Sequence, residues 1–259
     1  MRGGWAGGWM VWLLVACGPT READPMLAAA RQMPLRPEEV LLDATRLAAR
    51  VDGVLLPPVP HRPDVTPIVN GEPARLRFRF DSDSLASPVD IRQRQLLVYP
   101  VEAYRELLPA GARIALDTRL AELRRLLRER PEFADSSEIP VLPVVETPQV
   151  LRARVRYVDF AGGGGVSFIA RYSPGYGAAA DSLVWTFQGL TDDGRYYVSI
   201  FHPISAPSFP ETGRPLDTVY YLDALRTSEF TPDPDVLDGL AGSIRIARRP
   251  QPISNGEPQ

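Results

Sequence analysis

Lysine is missing altogether: all 29 basic residues of this 259-residue chain are arginine. A GC-rich coding bias accounts for that without a functional cause. Histidine is nearly missing too, with only His61 and His202, and two imidazoles cannot build a histidine-rich metal site. The formal net charge of −3 leaves no general nucleic-acid footprint. No G-x-S-x-G elbow occurs, so a serine triad would have to assemble around His202 with no supporting motif. The acidic pairs Asp81 with Asp83, Asp192 with Asp193 and Asp233 with Asp235 fall in turns or at helix caps, where aspartate serves local hydrogen bonding. None has calcium-loop spacing. No cofactor and no metal is expected on these grounds. A pair of glycosidase carboxylates stays open, because such a pair meets in space and not in sequence.

What is present is a globular composition, 44% hydrophobic and 24% charged, in a chain long enough to bury a core without staples. The one cysteine carries the most specific signal. Arg2 gives a short positive segment, residues 5–13 an apolar one, and Leu14-Val15-Ala16-Cys17 follows at once. That order resembles the lipobox of bacterial lipoproteins. The resemblance implies cleavage after residues 1–16 and a diacylglycerol thioether on Cys17, which then becomes the mature N-terminus and is no longer a thiol nucleophile. The apolar run is far shorter than the ~20 residues of a spanning helix. A lipid-anchored, extracytoplasmic protein of the cell membrane or envelope is expected, with the membrane as its partner through Cys17.

Residues 17–36 read as a tether and 37–53 as an amphipathic helix. Pro37 stands at a first helical position ahead of Glu38 and Glu39, and Val40, Leu41, Ala44, Leu47, Ala48 and Val51 recur at helical spacing before Gly53. With only Arg46 and Arg50 to set against Glu38, Glu39 and Asp43, this stripe fits docking on its own domain better than lying on a bilayer. Residues 54–73 are a proline-rich linker, semi-rigid and carrying a solvated His61. One domain is expected over 74–248, and 249–259 reads as a disordered tail.

That domain is organised around residues 183–201. Two β-rich runs, 183–190 and 196–201, flank Asp192-Asp193-Gly194, a hairpin turn in which Gly194 supplies the positive φ. Aromatic and branched residues occupy both parities of each run, which predicts central strands covered on both faces. Further strands are predicted at 75–81, 95–100, 150–159, 166–172 and 243–246. Helices are predicted at 101–108, from an N-cap at Asp117 to a stop at Pro131, from Asp217, and from Asp233 with Pro234. The glycine run within 161–165 precedes a strand and not a helix, so it is a hairpin turn and not a phosphate loop. The fold class is α+β, an antiparallel sheet with helices packed on it.

Two strands alternate arginine with apolar residues: Arg75, Arg77 and Arg79 in one, Arg152, Arg154 and Arg156 in the other. Each trio is expected on one strand face. If both faces lie on the same side of the sheet, they form a basic surface able to bind an anionic envelope polymer or lipid head group, since arginine matches phosphate and carboxylate with two parallel hydrogen bonds. The same faces also read as solvated and paired with acids across strands.

The segment 187–198, Phe-Gln-Gly-Leu-Thr-Asp-Asp-Gly-Arg-Tyr-Tyr-Val, resembles a hairpin of an uncharacterised bacterial lipoprotein group, where it recurs before a proline-rich segment. That resemblance brings no activity with it. The order of elements is also similar to the PsbP-like fold, which implies an α/β/α sandwich and carries no function. Three functional readings follow: a non-catalytic envelope lipoprotein that binds or positions something, a hydrolase with a site near His202, and a structural subunit of an envelope complex.

Overall fold

Gly194 has φ +67°, a conformation that costs glycine nothing and a branched side chain a great deal. It lets the chain turn directly from strand β7 (Leu183–Thr191) into strand β8 (Tyr196–Pro203). The turn is held by Gly194 N–H donating to the Thr191 carbonyl at 2.8 Å, while the Thr191 hydroxyl donates to Asp193 at 2.6 Å. The computed structural model describes residues 33–65, 70–81, 90–132, 139–144, 149–172, 183–206 and 215–247. The expected signal segment, Cys17, the expected loop at 173–181 and the expected tail at 249–259 lie outside those residues.

Around this hairpin an antiparallel sheet of seven strands is built. Its other members are β2 (Val51–Leu56), β3 (Arg75–Phe80), β4 (Gln95–Pro100), β5 (Gln149–Phe160) and β6 (Gly163–Tyr172), and the spatial order is β2-β3-β4-β8-β7-β6-β5. β8 therefore occupies the middle, with three strands on each side. A separate pair joins β1 (Val40–Leu41) to β9 (Arg245–Ile246). The α+β class is as read, although β9 completes this small sheet rather than the large one.

Alternation along the strands sends side chains into two layers. Leu76, Phe78, Val98, Trp185, Phe187 and Ile200 meet helices α3 (Pro215–Ala224) and α4 (Pro234–Gly242) and the chain from Met33 onward. On the opposite face Leu97, Tyr99, Phe168, Tyr197 and Phe201 meet helices α1 (Val101–Leu107) and α2 (Ala110–Glu129). All nine residues of β7 are buried, as two-sided covering requires. Each large side chain so removed from water contributes roughly 1.5–3 kcal/mol.

Three expectations are corrected. Residues 37–53 are not a helix: a single 3-10 turn at Pro37–Glu39 is followed by β1, and β2 begins at Val51. Gly53 closes nothing and instead lies opposite Phe78, where a Cβ would stand 2.7 Å from the Phe78 ring and 2.9 Å from Pro37. The stripe docks on its own domain, by strand pairing and not by a helix face. Met33, Leu35, Val40 and Ala44 thus pack into the domain core well ahead of residue 74, and the expected linker is an excursion within the domain, clasped where Val59 and Glu72 exchange backbone hydrogen bonds at 2.7 and 2.9 Å. Asp117 is no cap either. α2 starts seven residues earlier, after Pro109, and Asp117 accepts from Arg105 Nε at 2.6 Å. Asp233 does cap α4, accepting from the Asp235 N–H.

Gly194→Val is expected to lower stability by roughly 1–3 kcal/mol, because a β-branched residue is strained at this φ. The measurement is the denaturant midpoint, and an unshifted midpoint would show that the turn tolerates a side chain.

Candidate functional site

The first arginine trio alternates as expected but does not face solvent. Arg75, Arg77 and Arg79 retain 4%, 0% and 5% of their surface. β3 is one strand in from the sheet edge, and the chain before and after it folds back over the arginines. Glu72 holds Arg75 Nε at 3.0 Å and accepts from the Tyr99 hydroxyl at 2.9 Å on the same carboxylate oxygen. Arg75 Nη1 donates to the carbonyls of Pro57 and Pro73. Arg77 Nη2 donates to Gln93 Oε1 at 3.1 Å. Burial, then the charges of Arg79 and Arg75, push the Arg77 guanidinium down to about 10, so it stays charged at neutral pH. Burial, then Glu72, pushes the Tyr99 hydroxyl up. Period two identified two faces correctly; whether the second is also dry depends on distant segments, and the expected solvent face is buried like the apolar one.

The second trio is split. β5 is the opposite edge strand, and its pairing with β6 slips between Ala153 and Arg156, with Arg154 at φ +55°. Arg152, paired with Ala170, stays on the α1–α2 side, while Arg154 and Arg156 turn to α3 and α4. Arg154 Nη1 donates to the carbonyls of Leu225 (2.7 Å) and Leu222 (3.2 Å) at the end of α3, where the helix dipole favours a cation. Its backbone N–H donates to Asp223, and its guanidinium lies 5.3 Å from the Phe230 ring centre. Arg156 bonds to Asp235 and Asp238 of α4. Asp238, pushed up by burial, also accepts from Ser167 of β6 at 2.6 Å. Arg154 and Arg156 therefore fasten helices to the sheet edge. The two trios lie near opposite edges and form no common basic surface.

His202 closes β8 with 7% of its surface exposed. Nδ1 is 2.7 Å from the Pro203 carbonyl, so Nδ1 carries the proton and donates. Burial lowers its pKa and keeps the ring neutral at neutral pH. Among the described residues no carboxylate or hydroxyl hydrogen-bonds to it, and no group of three His, Cys, Asp or Glu is placed to hold a metal.

A buried polar network on β7 and β8 was not anticipated. Gln188 donates to the hydroxyls of Thr186 (2.6 Å) and Ser199 (3.0 Å), and accepts from the Tyr197 hydroxyl (2.6 Å) and the Leu142 N–H (3.2 Å). Its signal was available in the polar residues Thr186, Gln188 and Ser199 within strands predicted to be covered on both sides. The network ties the sheet to the segment around Leu142 and leaves the Gln188 amide satisfied.

The larger of two described clefts, about 320 Å³, lies at the C-terminal end of α2. Arg124, Leu127, Arg128 and Arg130 line one wall, and Asp159 and Gly164 stand across it, with the end of β7 as the floor. Arg130 bonds to Asp159 and lies 5.7 Å from the Tyr157 ring centre. The second cleft, about 30 Å³ beside Pro34 and Ile246, holds little more than a water molecule. Neither adjoins His202. Comparison with protein-family models, curated proteins and solved structures finds no match. Fold and site together define a seven-stranded antiparallel α+β domain with buried arginines and one arginine-lined groove.

Glu72→Gln removes the charge shared by Arg75 and Tyr99 and should cost about 1–3 kcal/mol in denaturant stability; an unchanged midpoint would show that the carboxylate is not needed there. His202 supplies a pH test. Its folded pKa is depressed, so the unfolded chain binds more protons, and the stability it lends is complete above about pH 6.5 and lost as pH falls through the folded value. His202→Gln should flatten the acid loss of stability just below that pH, and an identical slope in both proteins would show that His202 is not its source.

Proposed function

We propose that this protein is a lipid-anchored, extracytoplasmic envelope protein whose single α+β domain binds or positions a partner and does no chemistry of its own. The observation that carries the reading is Leu14-Val15-Ala16-Cys17 directly behind a short apolar segment. Acyl chains on Cys17 would hold the protein at a membrane, each buried methylene contributing ~0.8 kcal/mol. No helix among the described residues is long and apolar enough to cross a membrane, which is compatible with an anchor at Cys17. Fifteen residues separate Cys17 from Met33, where the described fold begins, and a fully extended chain of that length reaches at most about 50 Å. The domain then works within that distance of the bilayer. The satisfied carbonyl bond of His202 and the structural employment of Arg154 and Arg156 support a scaffold role for residues that a hydrolase or a strand-borne basic surface would need free.

The test is Cys17→Ser, followed by acyl labelling and membrane fractionation. The substitution should abolish labelling and leave uncleaved precursor or released protein. Labelling equal to that of the unaltered protein would overturn the reading.

A further inference from the structure

We propose that the groove at the end of α2 is a phosphate-binding site, with Arg124 and Arg128 as its two anion-holding residues. The inference deepens the binding role proposed above, and its phosphate test does not depend on the anchor.

Arginines near a helix C-terminus are favoured by the dipole wherever they point, so their number alone carries nothing. What separates these from the rest is how each is neutralised. Arg125, on the outer side of the same turn, is bonded to both Glu122 (2.7 and 3.0 Å) and Glu129 (2.7 Å). Arg124 makes no hydrogen bond or ion pair among the described residues. Arg128 comes no closer than 4.0 Å to Glu129, whose carboxylate Arg125 already holds. Arg124 and Arg128 stand four residues apart and line the same groove, with Cβ atoms about 5–6 Å apart on a helix. Like charges so placed repel each other and destabilise the helix. An anion between them would reverse that sign.

The groove is built to keep such an anion in place. Arg124 Nη2 lies 3.1 Å from where a Cβ on Gly194 would stand, so the glycine of the central hairpin leaves the space this guanidinium uses. Arg130 ends α2 in the left-handed region at φ +44°, a position that glycine usually takes. Its side chain is turned into the groove and occupied by Asp159, so it fixes one rim and leaves Arg124 and Arg128 as the open donors. Gly164 faces the same space, and a Cβ there would stand 2.9 Å from Asp159 Oδ1. Three arginines and two aspartates line the groove, a net charge of one positive.

Two forks favour phosphate over carboxylate. The two oxygens of a carboxylate lie in one plane and meet a single fork edge to edge, whereas the terminal oxygens of a phosphate ester spread over a tetrahedron and present a separate edge to each of two guanidiniums. Leu127, between the two arginines, and Leu190 on the floor give an apolar surface beside the anion, suited to the carbon part of an ester. A lipid head group and a small soluble phosphate ester share this chemistry.

The experiment uses the full chain in non-ionic detergent and measures binding by calorimetry. The probes are inorganic phosphate, glycerol 3-phosphate, and mixed micelles containing phosphatidylglycerol. Arg124→Gln and Arg128→Gln are each expected to weaken binding at least about tenfold, the loss of one charge-assisted pair. Arg46→Gln removes the same charge at an exposed position outside the groove and should leave binding within about twofold of the unaltered protein. Melting temperatures identify any variant that has lost its fold, and for such a variant Arg→Lys, which keeps the charge and loses the fork, is expected to bind more weakly. Binding of the small esters assigns the site to free phosphates, and binding of the micelles alone assigns it to a lipid head group. Equal weakening by Arg46→Gln, unchanged binding by both groove variants, or no binding of any probe by the unaltered protein would overturn the proposal, whatever acyl labelling shows for Cys17.

Discussion

Two strands that are apolar on both parities cannot stand at a surface, and the rest of the fold follows from closing both faces of β7 and β8 at once. The constraint is strict because polar groups lie between the apolar ones. Gln188 is fully buried, and leaving its amide unpaired would cost about 1–3 kcal/mol. The partners come from three places: Thr186 on its own strand, Tyr197 and Ser199 on the neighbour, and the backbone of Leu142 from a remote segment. A single buried side chain therefore sets the hairpin register and decides where the chain near Leu142 must lie.

The arginines divide by what surrounds them and not by where they fall in the sequence. Arg75 is held by a carboxylate and two carbonyls, Arg154 by helix-end carbonyls, and Arg156 by two aspartates. Arg75 is an interior fastening, a charge that would be expensive to bury without its partners, and Arg154 and Arg156 are half-buried fastenings at the sheet edge. Arg124 and Arg128 have no comparable hold. In a chain without lysine, guanidinium groups do both kinds of work, and only their partners tell the two apart.

Much of the fold was legible. The turn at Gly194, the strands at 75–81 and 95–100, the Asp233 cap and the strand after the glycine run were all readable, because each rests on local chemistry: a positive φ, a period of two, a cap hydrogen bond; the run itself, expected as the turn, supplies Gly163–Gly165 to that strand. The errors have separate causes. Residues 37–53 carry a helical apolar pattern, yet Val51–Leu56 pairs with β3, since a strand partner with a waiting edge outweighs a modest local propensity. The alternation over 150–159 was visible, but the slip at Arg154 that splits its arginines was not, because a bulge leaves the composition unchanged. Asp117 looked like a cap only because the helix start at Ala110, after Pro109, carries no capping side chain.

The sequence by itself determined the turn at Gly194, the period of the strands and the Asp233 cap, and it carries the cysteine motif from which an anchor is proposed. These depend on neighbours within a few positions and survive any tertiary arrangement. Tertiary structure alone decided which arginines are buried, which faces are dry, and that Arg124 and Arg128 line a groove beside Gly194 and Gly164. Burial and charge pairing are set by residues far apart in the chain: Glu72 and Tyr99 about Arg75, Leu225 about Arg154, the hairpin turn about Arg124. An arginine's chemistry is set by the distance to its nearest acid and to water, and neither distance exists until the sheet has closed.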